Sequence, residues 1–195
     1  MAEQVTIDEL VDLIHKHLKS GQGGMTFVAI DGPSGSGKTT LAEALEASSL
    51  AVTVVHVDDF YSQEGVDPPG GMDPEDACDE YVDWLRLFEL VLEPLKDGDN
   101  GYYQVYDWVA QKPDVWVTIE PRGVLIVEGV YAMRPELREA YDIKVYVDTP
   151  QETRLNRLGE RSDNLVWVKR WAEAEVWYNA NIKPIDYADV IVSGS

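Results

Sequence analysis

The sequence predicts an α/β fold of three layers, with helices on both faces of a five-stranded parallel sheet and a β-hairpin appended to it. Three observations carry that expectation. Between Met25 and Ala47 a strand pattern, a glycine-rich loop and a helix pattern follow one another directly. The runs Ala51–Val57, Val124–Val127 and Ile143–Val147 are nearly continuously apolar, as strands covered on both faces are. Helical stretches separate most of these runs, which suits crossover-connected parallel strands. At 195 residues and 45% hydrophobic content, the chain fits one domain, 1–195, with a sizeable core.

In chain order, residues 5–19 read as an amphipathic helix. Thr6 and Glu9 have capping-box spacing, and Leu10, Leu13, Ile14 and Leu18 share a face. His15 and His17 are expected on its solvated side. With the break at Ser20–Gly24, this forms an N-terminal helix and linker over 1–24. The first strand, Met25–Ile30, then leads into Gly32-Pro33-Ser34-Gly35-Ser36-Gly37-Lys38-Thr39. That is G-x-x-x-x-G-K-[ST] between a strand and a helix, the context that identifies a P-loop. The expected architecture is therefore the P-loop NTPase three-layer sandwich. Glycines let successive amides converge on an anion, and the following helix start adds its dipole. Gly32, Ser34, Gly35, Ser36, Gly37, Lys38, Thr39 and Thr40 are the expected cradle for ATP. Lys38 supplies charge at the outer phosphates, and Thr39 a hydroxyl for Mg²⁺.

The second strand, Ala51–Val57, ends in Asp58-Asp59-Phe60-Tyr61. Carboxylates at the carboxyl end of a sheet strand lie where ligands bind in open α/β folds. One could take a proton from a hydroxyl or hold metal-bound water. Such acids also cap strand-to-loop junctions; the P-loop one strand away favours function. Residues 62–74 read as a polar loop and substrate flap, and Glu75–Lys96 as one long helix with Ala77, Tyr81, Trp84, Leu85, Phe88 and Leu92 on its core face.

Residues 101–108 and 115–119 alternate like a hairpin (101–119) turning at Gln111-Lys112-Pro113-Asp114. Tyr106-Asp107-Trp108 offers either stacking surfaces or packing for the hairpin, and the residues alone leave both open. Val124–Val127 followed by Glu128 is Walker-B-like, which sets Glu128 beside the P-loop and Mg²⁺. A short helix at Pro135–Ala140 and the strand Ile143–Val147 come next. Arg154, Arg157 and Arg161 then follow i, i+3, i+7 spacing within a short lid, 150–165. They read as a lid over polyphosphate rather than a solvated face paired with Glu152 and Glu160. Asn164–Asn181, rich in tryptophan, is a further helix, and Ala188–Val192 closes the sheet.

The formal net charge is −20. A field of that sign repels nucleic acids and anionic membranes, so neither is expected as a partner. No apolar run reaches membrane-spanning length, no signal peptide opens the chain, and Cys78 is the only cysteine. Together these point to the cytoplasm. Cys78 itself reads as a small helix-face residue.

The ordered set Gly32–Thr40, Asp58-Asp59-Phe60-Tyr61, Tyr106-Asp107-Trp108, Val127-Glu128-Gly129-Val130-Tyr131-Ala132, Val147-Asp148-Thr149, Thr153-Arg154-Leu155-Asn156-Arg157 and Lys183-Pro184 before Ala188-Asp189-Val190-Ile191 resembles the uridine kinase and phosphoribulokinase-like P-loop kinases. The resemblance implies transfer of the ATP γ-phosphoryl to a hydroxyl, most simply the 5′-hydroxyl of uridine or cytidine. By position Asp58 is similar to the family's general base and Asp73 to an acid on the ribose hydroxyls. Tyr106 and Trp108 match aromatics bounding the base pocket, Arg154 a substrate- or phosphate-facing arginine, and Arg157 and Arg161 lid residues. Lys38, Asp58 and Arg154 would be catalytic. Asp59, Tyr61, Asp73, Tyr106, Trp108, Gln111, Glu128 and Arg154 would face the substrate, and Thr39, Asp58 and Glu128 would attend Mg²⁺. Family members are often tetramers, so a homo-oligomer is implied. Where uridine kinases place a His and an Arg beyond the Tyr-Asp-Phe motif, this chain has Gln111 and Pro113. Pantothenate, a sugar phosphate or nicotinamide riboside therefore remain alternative acceptors. A regulator that binds ATP without transferring its phosphoryl is the alternative outside the kinases.

Overall fold

A computed structural model describes residues 2–20, 24–48, 50–62, 72–159 and 165–194, with the side chains of 19–20 and 165–168 excepted. Its strands are β1 (Glu3–Val5), β2 (Thr26–Asp31), β3 (Val52–His56), β4 (Gly101–Asp107), β5 (Lys112–Ile119), β6 (Val124–Glu128), β7 (Ile143–Asp148) and β8 (Val190–Ser193). The longer helices are α1 (Ile7–Ser20), α2 (Lys38–Glu46), α3 (Pro74–Glu80), α6 (Gln151–Gly159) and α7 (Leu165–Asn181). Two short helices, α4 (Trp84–Leu87) and α5 (Glu93–Asp97), flank a π-helical turn, Phe88–Leu92.

The main sheet is parallel throughout, but it has six strands rather than five, in the order β1-β8-β7-β2-β6-β3. The extra strand is Glu3–Val5, three residues too short and too polar to show a strand pattern; it becomes one by pairing with the edge of β8. Thr6 then caps α1 as its spacing implied: its amide donates to Glu9 Oε2 at 2.8 Å and its hydroxyl accepts from the Glu9 amide at 3.3 Å. His17 lies 3.7 Å from Asp142.

Strand alternation divides the core into two faces. Val28, Ile30, Val124, Ile126, Val145 and Val147 pack beneath Leu10 and Ile14 of α1 and Leu41 and Leu45 of α2. Phe27, Ala29, Leu125, Val127 and Tyr146 pack on the other face with Phe60, Leu87, Leu92, Tyr103, Tyr131 and Tyr178. Every residue of β2 is buried. The P-loop thus leaves a strand that is buried along its whole length.

Two departures from expectation shape the cleft. The single helix over 75–96 is interrupted at residues 81–83. There Tyr61 and Val82 form an antiparallel bridge, Ser62 N donates to Tyr81 O at 3.0 Å and Asp83 N to Phe60 O at 2.8 Å. Asp83 then caps α4 by accepting from Arg86 N at 3.0 Å. Tertiary pairing has overridden helical periodicity, and it fixes the segment carrying Asp58 to Tyr61. Leu85, expected in the core, is exposed as a result. The hairpin turns at residues 108–111, earlier than the Gln111–Asp114 turn the sequence suggested. Asp107 Oδ1 accepts from the amides of Val109 (2.8 Å) and Ala110 (2.9 Å), and Gln111 takes the left-handed conformation. Pro113 is left within β5, opposite Tyr106 at a register shift. Residues 135–140 form turns with a 3₁₀ segment at Arg138–Ala140 rather than a helix.

Candidate active site

The P-loop is held from outside by its own carbonyls. Lys38 Nζ donates to Gly32 O at 2.8 Å and Pro33 O at 3.2 Å. Arg154 donates to Ser34 O at 3.3 Å, Arg157 to Gly35 O at 3.1 Å and the Thr149 hydroxyl to Ser36 O at 2.8 Å. Five consecutive carbonyls are therefore tied to side chains from α2, α6 and the β7–α6 turn. Fixing them on that side leaves the loop's remaining amides, those other than Gly32 N, Ser34 N and Ser36 N, as its means of receiving an anion. Gly35 has φ +75°, and a Cβ there would meet Arg154 O at 2.9 Å, so lid helix and loop can approach this closely only at glycine. Gly37, with φ 101°, starts α2, on whose first turn Thr39 and Thr40 stand exposed.

A cleft of about 790 Å³ opens in front of the loop. Lys38, Thr39, Asp58, Glu128, Arg154 and Trp108 all line it. Glu128 is buried at the end of β6, where it accepts from the Thr39 hydroxyl at 3.1 Å and from His56 Nδ1 at 2.6 Å. Asp58 sits on the 3₁₀ turn Val57–Phe60 just beyond β3. Its carboxyl reaches the solvent of the cleft, but the walls crowd it. That desolvation holds it above the usual carboxylate range, with Lys38 opposing and Glu128 adding to the shift. The hydrogen bond to Glu128 likewise raises His56, against its partial burial.

The residues expected at the acceptor divide. Tyr61, Tyr106 and Trp108 form one aromatic cluster, with ring centroids 5.4, 5.1 and 4.9 Å apart. Its half-exposed Trp108 faces the cleft. Asp59 does not join them: its buried carboxylate accepts from Tyr106 N at 3.3 Å and Tyr103 Oη at 3.4 Å, fastening the hairpin to the Asp58 turn. Burial raises its pKa, and those hydrogen bonds pull the other way. Asp73 caps α3, accepting from Glu75 N at 3.2 Å, and Gln111 is exposed in the hairpin turn. Arg161 and most of the expected flap (63–71) lie outside the described residues.

Three residues that sequence reading passed over belong to the site. Glu175 on α7 accepts from Ser34 N at 2.9 Å and lies 3.6 Å from Arg154. Asp31, fully buried, accepts from Gly32 N at 2.6 Å, Met133 N at 2.8 Å and Tyr178 Oη at 2.7 Å, joining the loop's start to α7. Burial pushes its carboxyl up to about 6 against those donors. His56 is the third; its signal was its place two residues before Asp58 at a strand end. For Glu175 only the packing of α7 on the loop gives a signal.

Thr39, Glu128 and Asp58 suit Mg²⁺: one hydroxyl and two carboxylates, all oxygen donors, line one cleft. No cluster of three acid, histidine or cysteine side chains forms a protein-only cage among the described residues. Mg²⁺ at phosphoryl-transfer sites needs none, because substrate phosphates complete its shell. No helix among the described residues is long and apolar enough to cross a membrane.

Residues 27–192 match the phosphoribulokinase / uridine kinase family. Uridine kinases of Clostridium botulinum (strain 657 / Type Ba4) and Staphylococcus aureus (strain JH9) are 30% and 32% identical over 140 and 143 residues. Those alignments cover 67% and 68% of this chain and 66% of each relative's length. The solved structure of a possible uridine kinase from Bacillus stearothermophilus superposes with a TM-score of 0.72 at 25% identity, covering 95% of this chain and 98% of the other.

Proposed function

The chain belongs to the phosphoribulokinase / uridine kinase family, and on that premise we propose that it is an ATP-dependent kinase that phosphorylates a hydroxyl of a small molecule, a nucleoside such as uridine or cytidine being the favoured acceptor. The observation that carries this reading is that one cleft is lined both by Lys38, Thr39 and Arg154 from the P-loop and lid and by Asp58 and Trp108 from the turn after β3 and the hairpin. A nucleotide switch needs the first set only.

In this reading the loop amides and Lys38 hold the β- and γ-phosphates. Arg154, already in the cleft wall, neutralises charge that develops on the transferred group. Mg²⁺, when bound near Thr39, Glu128 and Asp58, supplies further charge neutralisation. Asp58 accepts the proton of the attacking hydroxyl; desolvation by the cleft walls raises its pKa and makes it a stronger base than an exposed aspartate. Trp108 and the rings behind it give an apolar face on which a planar base can stack. Named kinases of the same family act as uridine kinases, which favours a nucleoside acceptor here.

A coupled ADP-release assay across nucleosides, pantothenate, sugar phosphates and nicotinamide riboside tests the proposal. The expected result is acceptor-dependent turnover with a pyrimidine nucleoside. If no hydroxyl compound raises turnover above background, the kinase reading is wrong and an ATP-binding regulator takes its place. Asp58→Asn should abolish transfer while nucleotide binding persists; loss of nucleotide binding would assign Asp58 to the metal instead.

A further inference from the structure

We infer that His56 is a positioning residue for the metal side of the site: acting through Glu128, it holds the Thr39 hydroxyl in the orientation that presents its lone pairs to Mg²⁺. The inference rests on the phosphotransfer reading above and assigns a role to a side chain outside its catalytic set.

The geometry is a relay across three neighbouring strands. His56 ends β3 and lies in register opposite Glu128, the last residue of β6; Glu128 lies opposite Ile30 of β2, whose chain continues into the P-loop. His56 Nδ1 stands 2.6 Å from Glu128 Oε1, and the Thr39 hydroxyl stands 3.1 Å from the same oxygen. An ionised carboxylate only accepts, so both neighbours donate to it. Thr39 has one proton to give. Committing it to Glu128 leaves both hydroxyl lone pairs for a cation.

One oxygen thus takes two donors, and its orientation depends on both. Glu128 is 5% exposed. Without His56 its buried Oε1 keeps Thr39 as its remaining contact, and the carboxylate can rotate to find a better one. Rotation would turn the Thr39 hydroxyl with it. Partners of this outer kind around metal sites change metal affinity by about 10–100-fold when removed. His56 is about half exposed at its outer edge, so replacing it opens no cavity in the sheet. A merely structural His56 would affect stability and leave the metal response alone.

The test uses His56→Leu and His56→Asn in the full chain, with a fluorescent ATP analogue titrated in Mg²⁺ and in chelator. Asn places an amide nitrogen close to where His carries Nδ1; Leu has no donor. His56→Leu should lower the Mg²⁺-dependent gain in nucleotide affinity by about 10-fold or more, and raise half-saturating Mg²⁺ in step. Its affinity in chelator should match wild type, and His56→Asn should recover most of the loss. Equal Mg²⁺ coupling in His56→Leu and wild type overturns the inference. So does a loss in His56→Leu that is equal in Mg²⁺ and in chelator, which marks a structural role. A wild-type protein that binds no Mg²⁺·nucleotide overturns the proposed function and this inference with it.

Discussion

The two walls of the cleft are held by different physics. The P-loop wall is polar and cross-tied: Lys38, Thr149, Arg154 and Arg157 reach its carbonyls, Glu175 and Asp31 its amides. These ties are directional, run from 2.6 to 3.3 Å and are buried or part-buried, which holds the wall in place from several sides. The hairpin wall rests on ring contacts among Tyr61, Tyr106 and Trp108, with Asp59 as its buried fastening. Aromatic packing tolerates sliding that hydrogen bonds do not. A wall for an invariant polyphosphate can be rigid, whereas a wall for a variable acceptor is better built from contacts that adapt.

If that contrast holds, substitutions on the two sides should separate in kinetics. Arg154→Ala removes a tie to Ser34 O and, in the proposed reaction, a charge from the transition state, and should lower kcat by about 10²–10³-fold. Trp108→Ala should leave ATP affinity intact and raise the acceptor's KM by about tenfold, the worth of one aromatic stack. Steady-state kinetics with each substrate varied checks both, and a Trp108 variant that loses kcat instead would break the comparison.

Between those two in size is a pH effect on the polar wall. An unfolded aspartate titrates near 3.8, whereas burial pushes folded Asp31 up to about 6. Between those values the folded state binds the extra proton, so Asp31's contribution is most favourable below the lower value and falls as pH rises towards 6. The difference in unfolding free energy between wild type and Asp31→Asn should therefore shift against wild type by about 3 kcal/mol across that window. Urea unfolding at successive pH values measures it; a flat difference would mean that the three donors to Asp31 balance its burial. Smallest is Arg157→Lys. A single ammonium cannot hold both Gly35 O at 3.1 Å and Gly194 O at 2.8 Å with a guanidinium's fork. A loss of about 1 kcal/mol in ATP affinity is expected; no loss would show the wall to be over-tied.

What the sequence made legible follows from the range of the interactions concerned. Gly32–Thr39 was readable because its function is local: glycine conformations, a following helix and a lysine within one turn. The Thr6–Glu9 cap was readable for the same reason. Glu175 and Asp31 were not, because their partners lie far along the chain, at Ser34, Met133 and Tyr178. β1 was missed because its three residues are a strand only against β8. The break at residues 81–83 was hidden by a helical pattern that continues through it, and Asp59 looked like its neighbour Asp58 until the hairpin covered it.

Gly194 gives the fold a temporal order. A Cβ there would stand 1.8 Å from Ser36 O and 2.2 Å from the Thr149 hydroxyl, and its carbonyl receives Arg157. The outer wall of a loop that begins at residue 32 is therefore supplied by a segment that leaves the ribosome about 160 residues later, at translation speeds of roughly 5–20 residues per second. A nascent chain therefore carries the P-loop motif for seconds before it carries the segment that closes this side of it.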